Sequence, residues 1–296
     1  LRTRAIRIDR AREEFKSVTV AVLDEQGLRA TSTMEVRARV VIVAANAVGS
    51  AELLIRSGIG TSHVGRHLML QPQLPVTALF DEKIRAFEGI PQAFAVTEFE
   101  REDDADHGLW GFRLEAVMGT PGNVASILPL AGVAGKEVMA AYDRIAALLV
   151  LVPDEPSGNV RAGPSAGHPI ISYRQAENHK ARLREGAKAA ARIYFAAGAR
   201  RVFVPTMPPV VLDSPADLQR IAAIRFDPAT APLLSAHQQG TVRFASSARQ
   251  GGADPDGRVY GTRGVYVFDS SGFPSSASSH TMTPITPSGP SPGSPG

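Results

Sequence analysis

The amino-acid sequence predicts an α/β part that is interrupted by a separate α+β domain. Residues 38–47 are rich in β-branched side chains and end in small residues, and an apolar helical stretch follows, which is the order of an α/β unit. From about residue 70 to 230, short strand-like pieces alternate with two helical stretches, which favours an antiparallel sheet with helices on one face. The residues that follow are rich in turn formers and return to the α/β part.

The α/β part begins with predicted strands. Residues 5–10 and 17–24 alternate apolar and polar side chains, and residues 25–27 form a turn between strands. The run at 38–47 is continuously apolar over its centre, which predicts a strand buried on both faces. A short helix follows and ends at Gly58. Its apolar positions are Leu53, Leu54 and Ile55.

The interrupting domain contains strand-like pieces and one clear helix. The pieces that predict strands are residues 74–80, 108–118, 168–173 and 200–205. Residues 145–152 form the longest apolar run, which predicts a buried strand or the end of a buried helix. The helix covers residues 178–197 and stops at Gly198. Its predicted buried face consists of Leu183, Ala187, Ala190, Ile193, Tyr194 and Ala197.

Composition excludes several classes of function. The chain has 296 residues, 44% of them hydrophobic, which is enough for one large domain or two smaller ones. It contains no Cys, so disulfide and thiolate chemistry are excluded. A net charge of +3 without a basic cluster predicts no nucleic-acid partner. The longest apolar run is far shorter than the about 20 residues of a membrane span, so no span is predicted.

The N-terminus lacks the apolar segment of a signal peptide and an initiator Met. We therefore expect a longer protein, whose compartment the sequence leaves open while favouring the cytoplasm.

Residues 235–285 carry the candidate chemistry. His237 and His280 both lie among small and polar residues at predicted element boundaries, where sites are usually built. The other histidines are interpreted as solvated or structurally satisfied side chains: His63, His67, His107, His168 and His179. Residues 253–261 read as a turn of Asp, Pro and Gly, and the strand at 264–269 ends in Asp269.

These motifs resemble the glucose–methanol–choline oxidoreductase family. The resemblance lies in a His-x-x-Gly-Thr element at His237, an Asp-Pro-x-Gly-Arg-Val turn at 254–259 and an Asp-x-Ser strand end at Asp269. A second His follows 43 residues after the first, at His280. Residues 41–60 also resemble a family signature, from which they depart in two places. Asn46 stands for the usual Gly and Ala51 for the usual Pro, and Asn tolerates the left-handed backbone.

The resemblance implies an FAD-dependent oxidation of an alcohol. His237 would accept the hydroxyl proton, and His280 would hydrogen-bond the alcohol oxygen. Residues implied to contact the flavin are Ala45, Asn46, Asp269, Ser270, His280, Thr281 and Met282. The substrate is expected to be a largely apolar alcohol, while the electron acceptor stays open. No metal is implied.

The resemblance also implies the fold, the remnant of an FAD-binding Rossmann-like domain with an inserted substrate domain of antiparallel sheet and helices. Residues 1–69 would be the first part of the FAD-binding domain, 70–230 the substrate-binding domain and 231–286 the return with the His pair. Residues 287–296 are rich in Pro, Gly and Ser and are expected to be disordered. We interpret this tail as a truncation or a shifted reading frame.

Alternatives remain open at the level of sequence. No strand–Gly-x-Gly-x-x-Gly–helix element, which holds a dinucleotide pyrophosphate, occurs in the chain. The protein could therefore be a non-catalytic remnant or binding module that cannot hold FAD. A Ser hydrolase using Ser235 or Ser279 lacks the Gly-x-Ser-x-Gly turn, and a lyase on the same scaffold stays possible. We expect the chain alone to carry little FAD.

Overall fold

A computed structural model of the chain describes residues 2–90, 92–100, 111–128 and 130–277. Two compact units divide it: unit 1 is Leu1–Leu70, Glu155–Arg174 and His237–Gly296, and unit 2 is Gln71–Asp154 and Gln175–Ala236. Residues 155–174, inside the predicted substrate domain, thus group with unit 1. The labels flavin-binding and substrate-binding stay predictions.

The strands of unit 1 are β1 (Thr3–Asp9), β2 (Lys16–Leu23), β3 (Ala30–Ala38), β4 (Val41–Val43), β5 (Arg66–Leu68), β10 (Gly158–Arg161), β11 (Ile170–Ser172) and β14 (Val265–Val267). Those of unit 2 are β6 (Gln73–Leu79), β7 (Ala95–Val96), β8 (Arg113–Val117), β9 (Ile145–Leu151), β12 (Arg201–Val204) and β13 (Val210–Leu212). The α-helices are α1 (Asn46–Arg56), α2 (Pro121–Ile127), α3 (Gly132–Ala140) and α4 (Glu177–Ala196). Short 3₁₀ helices cover Tyr142–Arg144, Pro215–Ala223 and Ser270–Gly272.

Three small sheets build unit 1. Strands β1, β2 and β3 form an antiparallel meander, and β1 and β2 lie where alternation predicts strands. The predicted turn is present, since Gly27 N donates to Asp24 O at 3.0 Å. Strands β11, β10 and β5 form a second antiparallel sheet, and β4 pairs in parallel with β14.

The prediction that the run at 38–47 is one strand buried on both faces is wrong. Strand β4 has only three residues, and Val43 is buried while Ile42 is 60% exposed. Within the described residues its sheet contains only β4 and β14, so one face is left without a covering layer. The apolar run shows only that these residues are hydrophobic. Burial on both faces also requires other strands or helices packed beside them, and the residue types alone do not reveal those.

Helix α1 follows β4 as predicted and packs into the core of unit 1. Ala47, Ala51 and Leu54 are fully buried, and the core around them contains Val242, Val259, Val265 and Val267. The chain leaves the helix through Gly58, whose φ of +64° is the left-handed conformation expected of a residue after a helix C-terminus.

Unit 2 is built on a six-stranded antiparallel sheet in the order β13-β12-β6-β9-β8-β7. Its larger core lies between one face of this sheet and helix α4. Side chains alternate between the two faces, so Val202 and Val204 face α4 while Phe203 packs with α2 and α3 on the other side. Helices therefore cover both faces, and the expectation of helices on one face only is wrong.

The buried face of α4 is slightly rotated from the predicted one. Leu183, Ala187, Ala190 and Tyr194 are buried as expected, but Ile193 is 36% exposed, and Ala197, just after the helix, is exposed too. The core side of the helix also includes Gly186, His179 and Arg182. Two polar side chains thus share the apolar face, which a hydrophobic pattern alone does not identify.

Two features are absent from the described part of the chain. None of the helices there combines the length and the hydrophobicity that crossing a membrane requires. Nor do those residues contain a cluster of three or more His, Asp or Glu side chains placed to hold a metal ion.

Candidate functional site

Four of the predicted site residues lie at one edge of the parallel pair in unit 1. Ala45 and Asn46 follow β4, and Asp269 and Ser270 follow β14. Because β4 and β14 are parallel, their carboxyl ends meet at the same edge of the sheet. In α/β folds the crevice beyond the carboxyl ends of parallel strands is where nucleotides bind.

A buried serine joins the two strand ends. Ser50 Oγ donates to Asp269 Oδ2 at 2.5 Å and accepts from Ala45 N at 3.0 Å. The other carboxylate oxygen of Asp269 accepts from Ser271 N at 2.9 Å and caps the 3₁₀ turn. Sequence reasoning missed Ser50, which lies 219 residues from Asp269.

Asn46 caps helix α1 with its own side chain. Its φ is +60°, so the expectation that this position needs a residue tolerant of the left-handed conformation is confirmed. Asn46 Oδ1 accepts from Val48 N at 2.9 Å and from Gly49 N at 3.2 Å. A Gly there would leave these first-turn amides open to another partner.

The stretch that begins at His237 runs alongside the turn after β14. Gly240 N donates to Ser270 O at 3.0 Å, and Ser270 Oγ donates to Gln238 O at 2.6 Å. Thr241 Oγ1 donates to Ala47 O, which connects the same stretch to helix α1. His-x-x-Gly-Thr therefore lies against the turn after β14 and the first turn of helix α1.

Gly240 is required by this arrangement. Its φ is +89°, and a Cβ at this position would come within 2.4 Å of His67 O. Only glycine fits a left-handed backbone packed so closely against another strand.

His237 itself is only 5% exposed. Its carbonyl oxygen accepts from Gln239 Nε2 at 3.1 Å. Gln239 Oε1 in turn accepts from Ala277 N at 3.1 Å. Sequence reasoning also missed Gln239, because it occupies a variable position of the motif and nothing in its own sequence surroundings marks it.

Three predicted site residues, His280, Thr281 and Met282, lie outside the described residues. Their pairing with His237 stays a prediction. Ala277 precedes His280 by three residues, a span of at most about 11 Å even when fully extended.

The predicted Asp-Pro-Asp-Gly turn is present. Asp254 Oδ1 accepts from Asp256 N at 3.1 Å and from Arg258 N at 2.8 Å, and Gly257 adopts a φ of +80°. The Asp carboxylate thus holds its own turn, which is the usual role of Asp in this position.

The other described histidines have structural partners. His179 Nδ1 accepts from Gln175 Nε2 at 2.8 Å, and its Nε2 donates to Val152 O at 3.3 Å. Burial, assisted by the charge of nearby Arg182, lowers the pKa of His179 to about 4. His63 and His67 stack on each other, and His168 bonds Ser165. His107 lies outside the described residues.

Comparison with known families agrees with the motifs. One GMC oxidoreductase model, for the N-terminal part of that family, matches residues 2–73. A second, for the C-terminal part, matches residues 154–289. The chain belongs to the GMC oxidoreductase family. This confirms the resemblance found in the sequence, and the family is one of FAD-dependent oxidoreductases.

Several curated relatives are similar over most of the chain. An uncharacterised GMC-type oxidoreductase of Mycobacterium tuberculosis is 33% identical over 250 residues, which are 82% of this chain and 37% of the relative. A long-chain-alcohol oxidase of Arabidopsis thaliana is 27% identical over 264 residues, 84% of this chain and 34% of that enzyme. The chain thus spans about a third of the length of these relatives.

Solved structures support the predicted fold class. Formate oxidase from Aspergillus oryzae aligns with a TM-score of 0.66 at 18% identity, covering 96% of this chain and 57% of that one. Pyridoxine 4-oxidase from Mesorbium loti aligns with a TM-score of 0.61 at 19% identity, covering 96% and 55%. The GMC oxidoreductase fold is therefore present in part, as a mixed α/β chain with several antiparallel sheets.

The described residues at this edge fit a flavin through their main-chain groups. The side chains of Asn46, Asp269 and Ser270 are all bonded within the protein, so contacts to a cofactor would come chiefly from main-chain groups beside them. In the same turn, Ser271 Oγ is buried and has no partner among the described residues. The strand-end position suits a ligand rich in hydroxyl and phosphate oxygens.

Proposed function

We propose that this chain contributes part of the flavin site and the catalytic base of an FAD-dependent oxidoreductase that acts on an alcohol. The observation that carries the proposal is the buried His237, held on a stretch that is hydrogen-bonded to the turn after β14 and to the first turn of helix α1. Ala45, Asn46, Asp269 and Ser270 would border the cofactor at that edge.

The chemistry assigned to the chain is proton transfer. Oxidation of an alcohol removes a hydride from the carbinol carbon and a proton from the hydroxyl oxygen. Bound FAD would supply the hydride acceptor. His237 would take the hydroxyl proton on an imidazole nitrogen, which a neutral imidazole does readily near pH 7. His280 would hold the alcohol oxygen, and the product is the corresponding carbonyl compound.

The substrate is proposed to be a largely apolar alcohol. Several relatives at 24–27% identity are named long-chain-alcohol oxidases, which act on alcohols of that kind. The apolar composition of the 70–230 region favours the same class. The electron acceptor is left unassigned.

The test is the variant His237→Ala in the full-length protein. We expect the flavin absorbance spectrum to be kept and alcohol turnover to fall by about 100-fold or more, the usual size of a general-base contribution. His168→Ala is the matched control, since His168 is an exposed histidine of the same unit. Unchanged turnover in His237→Ala would show that another group accepts the hydroxyl proton of the alcohol.

A second candidate is a binding module or remnant that does not hold FAD. The absence of a Gly-x-Gly-x-x-Gly element from the 296 residues favours it. The two candidates are separated by purifying the full-length protein, adding FAD, removing free cofactor and recording flavin absorbance. We expect little bound flavin from the chain alone. A stoichiometric complex that oxidises an alcohol would reject this second candidate.

A further inference from the structure

Gln239 is a fully buried glutamine with four hydrogen bonds, two made by its main chain and two by its side chain. Its main-chain N donates to Met69 O, and its main-chain O accepts from Met69 N, both at 2.9 Å. Its side chain donates from Nε2 to His237 O and accepts at Oε1 from Ala277 N, both at 3.1 Å. The main chain therefore fixes the residue to β5's end, and the side chain spans two segments that lie 40 residues apart.

The two side-chain bonds require an amide. His237 O can only accept, so it needs a donor, and Ala277 N can only donate, so it needs an acceptor. A carboxylate would satisfy Ala277 N but would leave His237 O facing another acceptor. An apolar side chain of the same length would remove both bonds at once, and the loss of a buried hydrogen bond is costly.

We propose that Gln239 is a positioning residue, which holds the main chain of His237 against Ala277, the segment that leads to His280. The proposal rests on the assignment of His237 as the base under the proposed function. Gln239 does not need to touch the substrate. It fixes the place of the base through the His237 carbonyl, and it fixes the start of the following segment through the Ala277 amide.

Two variants separate the two bonds. Gln239→Met removes both, while Gln239→Glu keeps the acceptor for Ala277 N and removes the donor for His237 O. Gln250→Met is the control, because Gln250 is an exposed glutamine whose side chain bonds only nearby serine hydroxyls.

Hydrogen exchange of the Ala277 amide tests the bond that this amide donates to Gln239 Oε1. Carbonyl-¹³C serine combined with ¹⁵N alanine selects amides of Ser–Ala pairs, which within this sequence are Ala51, Ala166, Ala236, Ala248 and Ala277. We expect Ala277 to exchange about ten-fold faster or more in Gln239→Met, and at nearly the wild-type rate in Gln239→Glu. Ala51, inside helix α1, should stay unchanged in every variant.

The NMR signals of the His237 ring test the bond that Gln239 Nε2 donates to His237 O. In protein labelled with ¹⁵N histidine, the His237 signals, assigned through His237→Ala, should shift or broaden in both Gln239 variants and stay unchanged in Gln250→Met. The signals of His168 should not move in any of them. Unchanged Ala277 exchange in Gln239→Met, or unchanged His237 signals in both variants, would overturn the proposal.

Turnover distinguishes positioning from a merely structural role. In the full-length protein with an alcohol substrate, kcat should fall about ten-fold or more in Gln239→Met while KM stays close to the wild type, both measured at a temperature at which the variant is folded. A rise in KM with unchanged kcat would overturn the positioning role. Absence of alcohol turnover in the wild-type full-length protein would reject the proposed function instead. The amide exchange and the ring signals would still show whether Gln239 holds His237 and Ala277 together.

Discussion

At the scale of single residues, the candidate site depends on side chains that satisfy their own main chain. Asn46 is the clearest case, since it combines a left-handed φ with two hydrogen bonds to the first turn of α1. Asp269 and Ser50 form a second case, in which a carboxylate and a hydroxyl hold two strand ends together. The site is therefore held by local polar bonds as much as by apolar packing.

Substitutions at Asn46 should separate these two roles. Asn46→Ala loses the cap and keeps the unfavourable left-handed backbone, so we expect it to lower the free energy of unfolding by about 2 kcal/mol. Asn46→Gly loses the cap but relieves the backbone, so its cost should be a few tenths of a kcal/mol, about the size known for caps replaced by Gly. Urea unfolding followed by circular dichroism measures both. An Ala variant at least as stable as the Gly variant would contradict the role of φ.

At the scale of elements, helix α4 approaches its sheet closely because it carries a glycine at the contact. A Cβ on Gly186 would lie 2.2 Å from Val150 Cγ1 and 3.3 Å from Phe112 Cδ2. The helix interior would otherwise favour Ala over Gly by up to about 1 kcal/mol. Close packing thus outweighs helix propensity at this position.

Gly186→Ala should therefore destabilise unit 2, although alanine is the better helix former. We expect a loss of about 1–3 kcal/mol, the usual cost of overpacking a core. Gly122→Ala in helix α2 is the matched control, because a Cβ there meets no atom within 4 Å and its φ is not left-handed. That control should be neutral or slightly stabilising. Equal unfolding free energies for the two variants would show that α4 can move away from the sheet without cost.

At the scale of the whole molecule, acid should weaken the fold through buried neutral histidines. Burial lowers the pKa of His179 in unit 2 and of His67 in unit 1, each to about 4 from an ordinary value of 6.5. The unfolded chain therefore binds protons at a higher pH than the folded chain. The stability that neutral histidine contributes is complete above about pH 6.5 and is lost as the pH falls towards 4.

The larger share of this loss should come from His179, since His67 is partly exposed. For His179 we expect about 3 kcal/mol between pH 7 and pH 4, and His179→Gln should remove most of that dependence. The measurement is the unfolding free energy in urea across this range, with the exposed His168→Gln as control. A wild-type slope that survives in His179→Gln would assign the acid sensitivity to other groups.

Local sequence rules predicted the elements whose causes lie within a few residues. Strands β1 and β2 follow from alternation, the end of α1 from Gly58, and the turn at Asp254 from Asp, Pro and Gly. The motifs at His237, at 254–259 and at Asp269 also indicated the family, because they occur together in one chain. These features need no knowledge of which distant segments meet.

Tertiary structure alone decided which segments meet and which faces are covered. The bond from Ser50 to Asp269 and the bridge from Gln239 to Ala277 join residues that no local pattern relates. Likewise, the run at β4 indicates an apolar strand, but its exposure depends on how many strands and helices lie beside it. The physical reason is range: propensity and periodicity act over one or two turns, whereas burial and long-range hydrogen bonds depend on where the whole chain has folded.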